Sequence, residues 1–365
     1  MNPILQDVDD YEHWLRQQCE VVETDLTVKH ERMRRSAFDF LRASYFRWCR
    51  TVAQMFPLAM DTPKVWCVGD VHVENYGTWR DADARLVWGL NDFDEAAPMP
   101  YALDLIRLST SACLVPGLQL SAAVICAAVL DGYAHGLSKP APSLLDEQEP
   151  WLRSLVADHA QASGKFWREI GACADAAPPK AVRVALRKSM PAEATMERFA
   201  KRTKGGGSLG RPRYLAIGLW QGGRVVREAK AVVPSAWYWA NEGLKLRQDG
   251  LALASGRYRS GDPSLVVKSQ LVIRRVAPDA TKIDVSDIGN EGVSQRLLSA
   301  MGAELAAVHA THRNRTKVLR DIKRRGASGE YASAWLLEAV QAAIQQVTAD
   351  YEAYLSSKAV ALPST

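Results

Sequence analysis

One acidic segment of the chain carries the residue types that phosphoryl transfer requires. Asp70 directly follows a short apolar run, Asn75 stands five residues later, and Asp92 ends the second strand of an intervening hairpin. In such a set one carboxylate can accept the proton of an attacking hydroxyl, while an amide oxygen and a second carboxylate are hard ligands suited to Mg²⁺. The segment therefore indicates Mg²⁺-dependent phosphoryl transfer, and the alternative is a cluster of Asp and Asn turn residues that caps a hairpin.

A glycine-rich segment, KGGGSLG at 204–210, is the second candidate site. No helix follows it, as a dinucleotide-binding fold requires, and it does not end in the Gly-Lys-Ser/Thr of a P-loop. A β-rich run follows instead, and Lys230 stands twenty residues after Gly210 on the next predicted strand. Such a loop between two antiparallel strands can lay its N–H groups over phosphates, whereas the alternative is a basic hairpin with an ordinary strand lysine. The predicted ATP-binding residues are Gly205, Gly207, Ser208, Gly210 and Lys230.

These motifs resemble those of known phosphotransferases. GDVHVEN, followed by NDFDEA and ALDL, resembles the GDxHxxN…DF/DW…DLA signature of aminoglycoside and choline-type phosphotransferases, which share the protein-kinase-like fold. The chain is more similar still to the bacterial family called domain of unknown function 2252, through FDFLRA (38–43), GDVHVENYG (69–77), NDFDE (91–95) and DLIRL (104–108). The resemblance implies that Asp70 is the catalytic base, that Asn75 and Asp92 bind Mg²⁺, and that Asp104 is a structural acid that braces the loop.

Three positions qualify this resemblance. Val68 stands where aminoglycoside phosphotransferases usually have a histidine before Gly-Asp, so the loop must be braced differently. His72 could orient Asp70 or touch phosphate, but we favour a loop histidine that makes one backbone hydrogen bond. Asp94 closes the Asp-Phe-Asp tripeptide at 92–94, which stands where a protein kinase carries Asp-Phe-Gly.

Two residues compete as the acidic partner of Lys230. A kinase lysine pairs with a carboxylate from a helix, and the sequence predicts a helix over 234–250. Glu242 is the candidate on this helix, and Asp249 is its rival.

The predicted elements form a two-lobed α+β fold of the protein-kinase-like type. Helical spacing is predicted over 9–56, 101–137, 145–172 and from 292 onward. Short strands are predicted over 64–68, 76–79, 85–90, 213–220, 224–233 and 265–276. The expected domains are 1–176 for the first part of the helical lobe with the catalytic and metal-site hairpin, 177–288 for a β-rich nucleotide-binding lobe, and 289–365 for helices that complete the helical lobe.

The order of these parts is rotated relative to an ordinary kinase-like chain. There the glycine loop and lysine precede the catalytic loop, whereas here Asp70 and Asp92 come first. The segment LLSAMGAELAAVHA (297–310) resembles the helix that precedes the catalytic loop in small-molecule kinases, but it lies near the end of this chain. We therefore expect a circular permutation with both termini in the helical lobe. This arrangement predicts that Lys230 lies near Asp92.

Charge and composition narrow the classes of function. The chain has a net charge of +5, but residues 180–275 hold 20 basic and 6 acidic residues, which suggests that this part meets an anion such as a nucleotide phosphate, RNA or an acidic protein. The apolar stretch at 111–130 is interrupted by Pro and Gly, so a buried helix is expected rather than a membrane span. Scattered cysteines and the acidic N-terminus favour free thiols in the cytoplasm.

The expected function is that of an ATP- and Mg²⁺-dependent phosphotransferase acting on a hydroxyl acceptor, either a small molecule or a protein. One alternative keeps the fold and makes the site a nucleotidyltransferase or a non-catalytic nucleotide-binding regulator. The other is a basic RNA- or protein-binding module, motivated by the charge of 180–275. The residues do not identify the acceptor or the oligomeric state.

Overall fold

The computed structural model describes residues 3–156, 159–246, 249–268, 270–283, 290–326 and 333–357. These residues form both helices and antiparallel sheets, as the helical spacing and the short β-rich runs of the sequence predict. The helices are α1 (Pro3–Gln18), α2 (Glu23–Met33), α3 (Ala37–Ala43), α4 (Tyr45–Met55), α5 (Pro57–Met60), α6 (Tyr101–Leu114), α7 (Ala122–Ser138), α8 (Pro150–Arg153), α9 (His159–Ala172), α10 (Lys180–Ser189), α11 (Ala236–Ala240), α12 (Glu291–Ala310), α13 (Arg315–Gly326) and α14 (Ala334–Ser356).

The strands form three antiparallel sheets among the described residues. They are β1 (Lys64–Cys67), β2 (Tyr76–Arg80), β3 (Leu86–Leu90), β4 (Ala97–Pro100), β5 (Ser143–Leu144), β6 (Thr195–Lys201), β7 (Arg213–Trp220), β8 (Gly223–Ala231), β9 (Val266–Lys268) and β10 (Leu271–Arg275). The neighbours are β1 with β4, then β2-β3-β5, and finally β6-β7-β8-β10-β9 in one five-stranded sheet. Short 3₁₀ helices occur at Val73–Asn75 and Asp249–Ser255.

The largest core joins the N-terminal helices to helices from the end of the chain. In α4 the buried residues include Tyr45, Trp48, Cys49 and Val52, a three- and four-residue spacing that buries one face of the helix. The same core includes residues of α6, α7, α12 and α14, and helices α7 and α12 pack directly against each other. This helical body carries the acidic loop (68–75), which follows β1 directly.

The five-stranded sheet positions the glycine loop (202–212), which connects β6 to β7. Alternate side chains of β7 pack on opposite sides, with Leu215 and Ile217 in a cluster with α9 and Ala216 in a cluster with α10. Lys230 lies on the central strand β8, opposite Arg213 on β7 and Val272 on β10. The sheet is therefore covered by helices at its middle, and Lys230 is held between two neighbouring strands.

Several elements differ from the sequence-based expectation, among them the short strands β4 and β5, which were not predicted. The helix expected over 234–250 is only α11, because the residues after it expose Leu244 and Leu246 and bury no helical face. Strand β6 and helix α10 were not predicted. Because β6 is an edge strand that buries only Ala200, it lacks the apolar alternation of an interior strand.

The apolar stretch at 111–130 divides between the end of α6 and the start of α7, which are separated by a turn at Val115–Ser121. Among the described residues, no helix combines the length and the apolarity that crossing a bilayer requires.

Candidate functional site

Asp70 is held by a buried arginine from helix α6. Arg107 Nη2 lies 2.5 Å and Nε 3.1 Å from the same oxygen of Asp70, Oδ1. The guanidinium also donates to the carbonyl oxygen of Leu41 at 2.9 Å, and only 1 % of the Arg107 side chain is exposed. Because both contacts to Asp70 use Oδ1, Oδ2 is the oxygen that this ion pair leaves for another proton donor.

Burial and the arginine act on Asp70 in opposite directions. Burial raises the pKa of the Asp70 carboxyl, the Arg107 cation lowers it, and the net result is a pKa of about 6. A carboxylate with such a pKa is ionised at neutral pH, yet it is more basic than an ordinary aspartate. These are the properties of a general base that works near neutral pH.

Asn75 is tied to the backbone of the acidic loop. Its side-chain Nδ2 donates to the backbone carbonyl oxygen of Asp70 at 2.6 Å. The backbone carbonyl oxygen of Asn75 accepts the N–H of Asn91 at 3.1 Å. The Nδ2 bond fixes the orientation of the side-chain amide, because Nδ2 and Oδ1 are on opposite sides of it. Oδ1 is then the atom of Asn75 that is available as an acceptor or a cation ligand.

The expected approach of Lys230 to Asp92 is confirmed. Lys230 Nζ lies 3.5 Å from Asp92 Oδ1 and 2.5 Å from Asp94 Oδ2. Burial raises the pKa of Asp92, but the cation of Lys230, followed by those of Arg274 and Arg213, outweighs it and lowers this pKa to about 2. Asp92 is therefore ionised across the physiological range.

The acidic partner of Lys230 is not the one that we expected. Glu242 is exposed two residues beyond α11, whereas Lys230 is buried against Asp94 and Asp92. The side chain of the rival, Asp249, lies outside the described residues. The correction has a simple physical cause: α11 ends at Ala240, so no helix carries Glu242 back toward β8.

Arg211 joins the glycine loop to the Asn-Asp-Phe-Asp-Glu loop at 91–95. Its guanidinium lies 3.2 Å from Asp94 Oδ2 and 2.6 Å from Glu95 Oε1, and all three side chains are largely buried. Glu95 Oε2 in turn accepts the N–H of Ala236 at 2.7 Å. The loop that carries Asp92 is thus fastened on one side by Lys230 and on the other by Arg211.

Glu228 gathers three arginines next to this site. Its carboxylate lies 2.9 Å from Arg202, 3.1 Å from Arg213 and 2.8 Å from Arg274. Burial raises the pKa of Glu228, but Arg213, Arg274 and Arg202 outweigh it and hold the pKa well below its usual range. Three basic residues of segment 180–275 are therefore paired with one buried carboxylate, two positions from Lys230 on β8.

The glycine loop lies against Asp70. A Cβ atom at Gly207 would stand 3.1 Å from Asp70 Oδ2 and 2.9 Å from the carbonyl oxygen of Arg42, so only glycine fits here without a shift. The carbonyl oxygen of Gly205 accepts a hydrogen bond from Arg32, and Ser208 Oγ accepts one from Arg213 at 3.1 Å. At the end of the loop, the carbonyl oxygen of Gly210 accepts the N–H of Val22 at 2.8 Å.

His72 makes the backbone hydrogen bond that we favoured for it. Its Nδ1 accepts the N–H of Glu74 at 3.2 Å, and its ring is buried. Burial, and then the cations of Arg42, Lys282 and Arg107, lower the pKa of His72 well below its usual range. A ring that stays neutral is a capping group for the 3₁₀ helix at Val73–Asn75.

The two residues that the sequence predicts as Mg²⁺ ligands, Asn75 and Asp92, carry oxygen atoms of the type that this ion takes. The Asp92 side chain is 42 % exposed, and its contact with Lys230 uses Oδ1, so Oδ2 lies outside this ion pair. Asn75 offers Oδ1, so the pair supplies the oxygen ligands that Mg²⁺ takes together with waters and phosphate.

Comparison with known proteins gives one match. Residues 21–149 match the family described as "Uncharacterized protein conserved in bacteria (DUF2252)". No curated protein and no solved structure matches the chain. The match confirms the resemblance to domain of unknown function 2252 over residues 21–149. This stretch holds Asp70, Asn75, Asp92 and Asp104, whereas Lys230 lies beyond it.

Two residues of this site had a signal in the sequence that we did not use. Arg107 stands among Leu105, Ile106 and Leu108, where a buried arginine indicates an acidic partner. Glu95 belongs to the NDFDE motif, but its partner Arg211 comes from the glycine loop, and only the fold brings the two together.

Proposed function

We propose that the protein is an ATP- and Mg²⁺-dependent phosphotransferase that acts on a hydroxyl acceptor and has a circularly permuted, kinase-like fold. The main support is the contact of Lys230 with Asp92 and Asp94, residues that are far apart in the chain. In protein kinases, a lysine on the strand after the glycine loop and a metal-binding Asp serve the same nucleotide.

The order of elements around this contact supports the permutation. Strand β6, the glycine loop, β7 and β8 with its lysine follow one another, as in a kinase nucleotide lobe. The acidic loop and the loop at 91–95 come before them in the chain. A circular permutation changes the order of these elements along the chain but leaves the site intact, because the same residues come into contact.

Each residue has a distinct task in this proposal. When bound, ATP would supply the phosphoryl group, and Mg²⁺ would balance the negative charge of the phosphates. Asn75 and Asp92 hold the metal through oxygen, while Lys230 and the N–H groups of the glycine loop bind phosphate. Asp70 accepts the proton of the acceptor hydroxyl at Oδ2, and Arg107 keeps its carboxylate ionised and in place.

A second candidate is a nucleotide site that transfers an adenylyl group or only binds. Its specific support is Val68, which stands where aminoglycoside phosphotransferases usually carry a histidine before Gly-Asp. The RNA-binding alternative is less well supported, since Arg202, Arg211 and Arg213 in the basic segment are buried and paired with carboxylates.

Replacing the proposed base tests the function directly. Asp70→Asn keeps the size of the side chain but cannot accept the proton, so we expect nucleotide turnover to fall by about 10²-fold or more, with Mg²⁺-nucleotide binding retained. The matched control is Asp131→Asn, which removes an exposed carboxylate on α7. Release of labelled ADP from ATP in the presence of pooled hydroxyl acceptors measures turnover. Equal turnover in folded Asp70→Asn and wild-type protein would contradict phosphotransfer through Asp70.

A further inference from the structure

A fully buried cluster behind the acidic loop has the composition of a metal site. Single ligand atoms of Cys67, Asp104 and His309 lie within 4.8 Å of one another. The three residues come from β1, α6 and the end of α12. These residues could bind a metal only if their ligand atoms were not already engaged in hydrogen bonds with other protein groups.

Asp104 is occupied by the backbone of the acidic loop. Its Oδ2 accepts the N–H of Val68 at 2.7 Å, and its Oδ1 accepts the N–H of Gly69 at 3.1 Å. These two N–H groups immediately precede Asp70. The carboxylate therefore clamps the stretch of chain that carries the proposed base.

His309 completes this clamp from the far end of the chain. Its Nε2 lies 3.1 Å from Asp104 Oδ2, and its Nδ1 lies 2.7 Å from the hydroxyl of Tyr133. A carboxylate can only accept, so the ring proton belongs on Nε2, and the Tyr133 hydroxyl then donates to Nδ1. Every polar atom of the imidazole has a protein partner, and the tautomer is determined.

The thiol does not take part in this arrangement as a ligand. Cys67 Sγ contacts the carbonyl oxygens of Met99 at 3.4 Å and Pro100 at 3.6 Å, both on the neighbouring strand β4. A zinc ion would need the thiolate and a free imidazole nitrogen. Here the thiol faces acceptors, and both imidazole nitrogens are used.

We propose that His309 and Tyr133 are positioning residues for Asp70, which act through Asp104 on the backbone at Val68 and Gly69. This inference rests on the proposed function, because it assigns these residues to the geometry of its base. It also explains how the loop is braced without a histidine before Gly-Asp, since the buried apolar side chain of Val68 cannot donate a hydrogen bond.

Gly69 transmits the position of this clamp to Asp70. Its φ is +84°, and a Cβ atom there would stand 2.4 Å from the carbonyl oxygen of Glu95. The backbone is thus confined between Asp104 on one side and the 91–95 loop on the other. It has little room to compensate if Asp104 moves.

Substitution of His309 in the full-length protein tests the proposal. His309→Leu removes the donor to Asp104, and we expect turnover to fall by about 10²-fold through misplacement of Asp70, with the KM for Mg²⁺–ATP unchanged. His309→Gln can still place an N–H near Asp104 and should restore most of the loss. Tyr133→Phe keeps the ring packing and should give a smaller loss.

Leu298→Ala is the control for stability, because Leu298 is fully buried on α12 three turns from His309. It should lower the melting temperature without changing the turnover of the folded molecules. If His309→Leu behaves in the same way, with only its melting temperature lowered, or if His309→Gln restores nothing, the positioning role is wrong.

Two measurements test the cluster independently of turnover. In ¹⁵N spectra of histidine-labelled protein, the signal that disappears in His309→Gln should show a proton on Nε2 and none on Nδ1. Elemental analysis of purified protein should find no stoichiometric zinc. A proton on Nδ1, or one zinc per chain, would overturn the proposal, whereas wild-type protein without turnover but with this tautomer would contradict only the phosphotransferase function.

Discussion

At the scale of single residues, Asp70 and Arg107 form one unit. Arg107 sits in an otherwise apolar stretch of α6 and binds a single oxygen of Asp70. The cation limits how far burial can raise the pKa of the carboxyl, while Oδ2 stays outside the ion pair. Asp70 can therefore be ionised and still accept a proton.

Changing Arg107 should shift the pH dependence of turnover. Asp70 acts only when deprotonated, so activity is present above its pKa of about 6 and lost as the pH falls through that value. Arg107→Gln removes the cation that opposes burial, so the pKa rises and the acid limb of kcat/KM moves to higher pH. Arg107→Lys keeps a positive charge and should move the limb less.

The pH–rate profiles of both variants and the wild type measure this effect. Circular dichroism identifies the variants that remain folded. A limb at the same pH in wild type and folded Arg107→Gln would mean that the titrating base is not Asp70.

The partner of Lys230 is also decided at this scale. In a kinase the lysine pairs with a glutamate from a separate helix. Here it pairs with Asp94, two residues from the proposed metal ligand Asp92. In this site one short loop thus supplies both the metal-binding carboxylate and the lysine's partner.

At the scale of elements, the glycine loop and the acidic loop must fit closely. Gly207 leaves no space for a side chain between Asp70 Oδ2 and the carbonyl oxygen of Arg42. Because Oδ2 is the proposed proton acceptor, Gly207 has to move aside when an acceptor hydroxyl approaches. In the proposed function, the loop would therefore control access of the acceptor to Asp70 as well as bind the nucleotide.

Two neighbouring glycines provide a matched test of this fit. Gly207→Ala should lower turnover by about 10-fold or more, because its methyl group displaces the loop or Asp70. Gly206→Ala should have a clearly smaller effect, since its methyl group would lie 3.5 Å from the nearest atom of Arg42, an ordinary contact. Steady-state kinetics of the two variants make the comparison, and equal losses would contradict close packing at Gly207.

The sequence predicts those elements whose own pattern carries the information. Strands β2 and β3 are short β-rich runs on either side of a polar turn, and the hairpin that they form returns the chain from Asn75 to Asp92. Strand β6 has no such apolar run, because it lies at an edge of the sheet and buries only Ala200. The contacts of Lys230 with Asp94 and of Arg107 with Asp70 depend on tertiary approach, so local patterns could not assign them.

At the scale of the whole molecule, two distant parts of the chain meet through buried ion pairs. Lys230 and Arg211, from the β-rich segment, reach Asp94 and Glu95 of the loop at 91–95. Breaking such a pair leaves an uncompensated buried charge, which costs about 3–5 kcal/mol. These contacts fix the position of the five-stranded sheet relative to the loop at 91–95, which is what the proposed shared nucleotide site requires.

The proposed permutation belongs to the scale of the whole molecule. Helix α12, which supplies His309, comes near the end of the chain, and Asp104 comes in its first third. Their contact shows that the ends of the chain contribute to one helical body. A proposed site assembled in this way does not depend on the order in which its parts are synthesised.

The central claim is that Lys230, Asp92 and the glycine loop together bind a magnesium nucleotide. Calorimetric titration of the purified full-length protein with ATP, with Mg²⁺ present and then with Mg²⁺ chelated, tests it most directly. The proposed arrangement predicts one site per chain that binds much more tightly with Mg²⁺, because Asp92 and Asn75 hold the nucleotide only through the metal. No binding in either condition, or equal affinity without Mg²⁺, would contradict it.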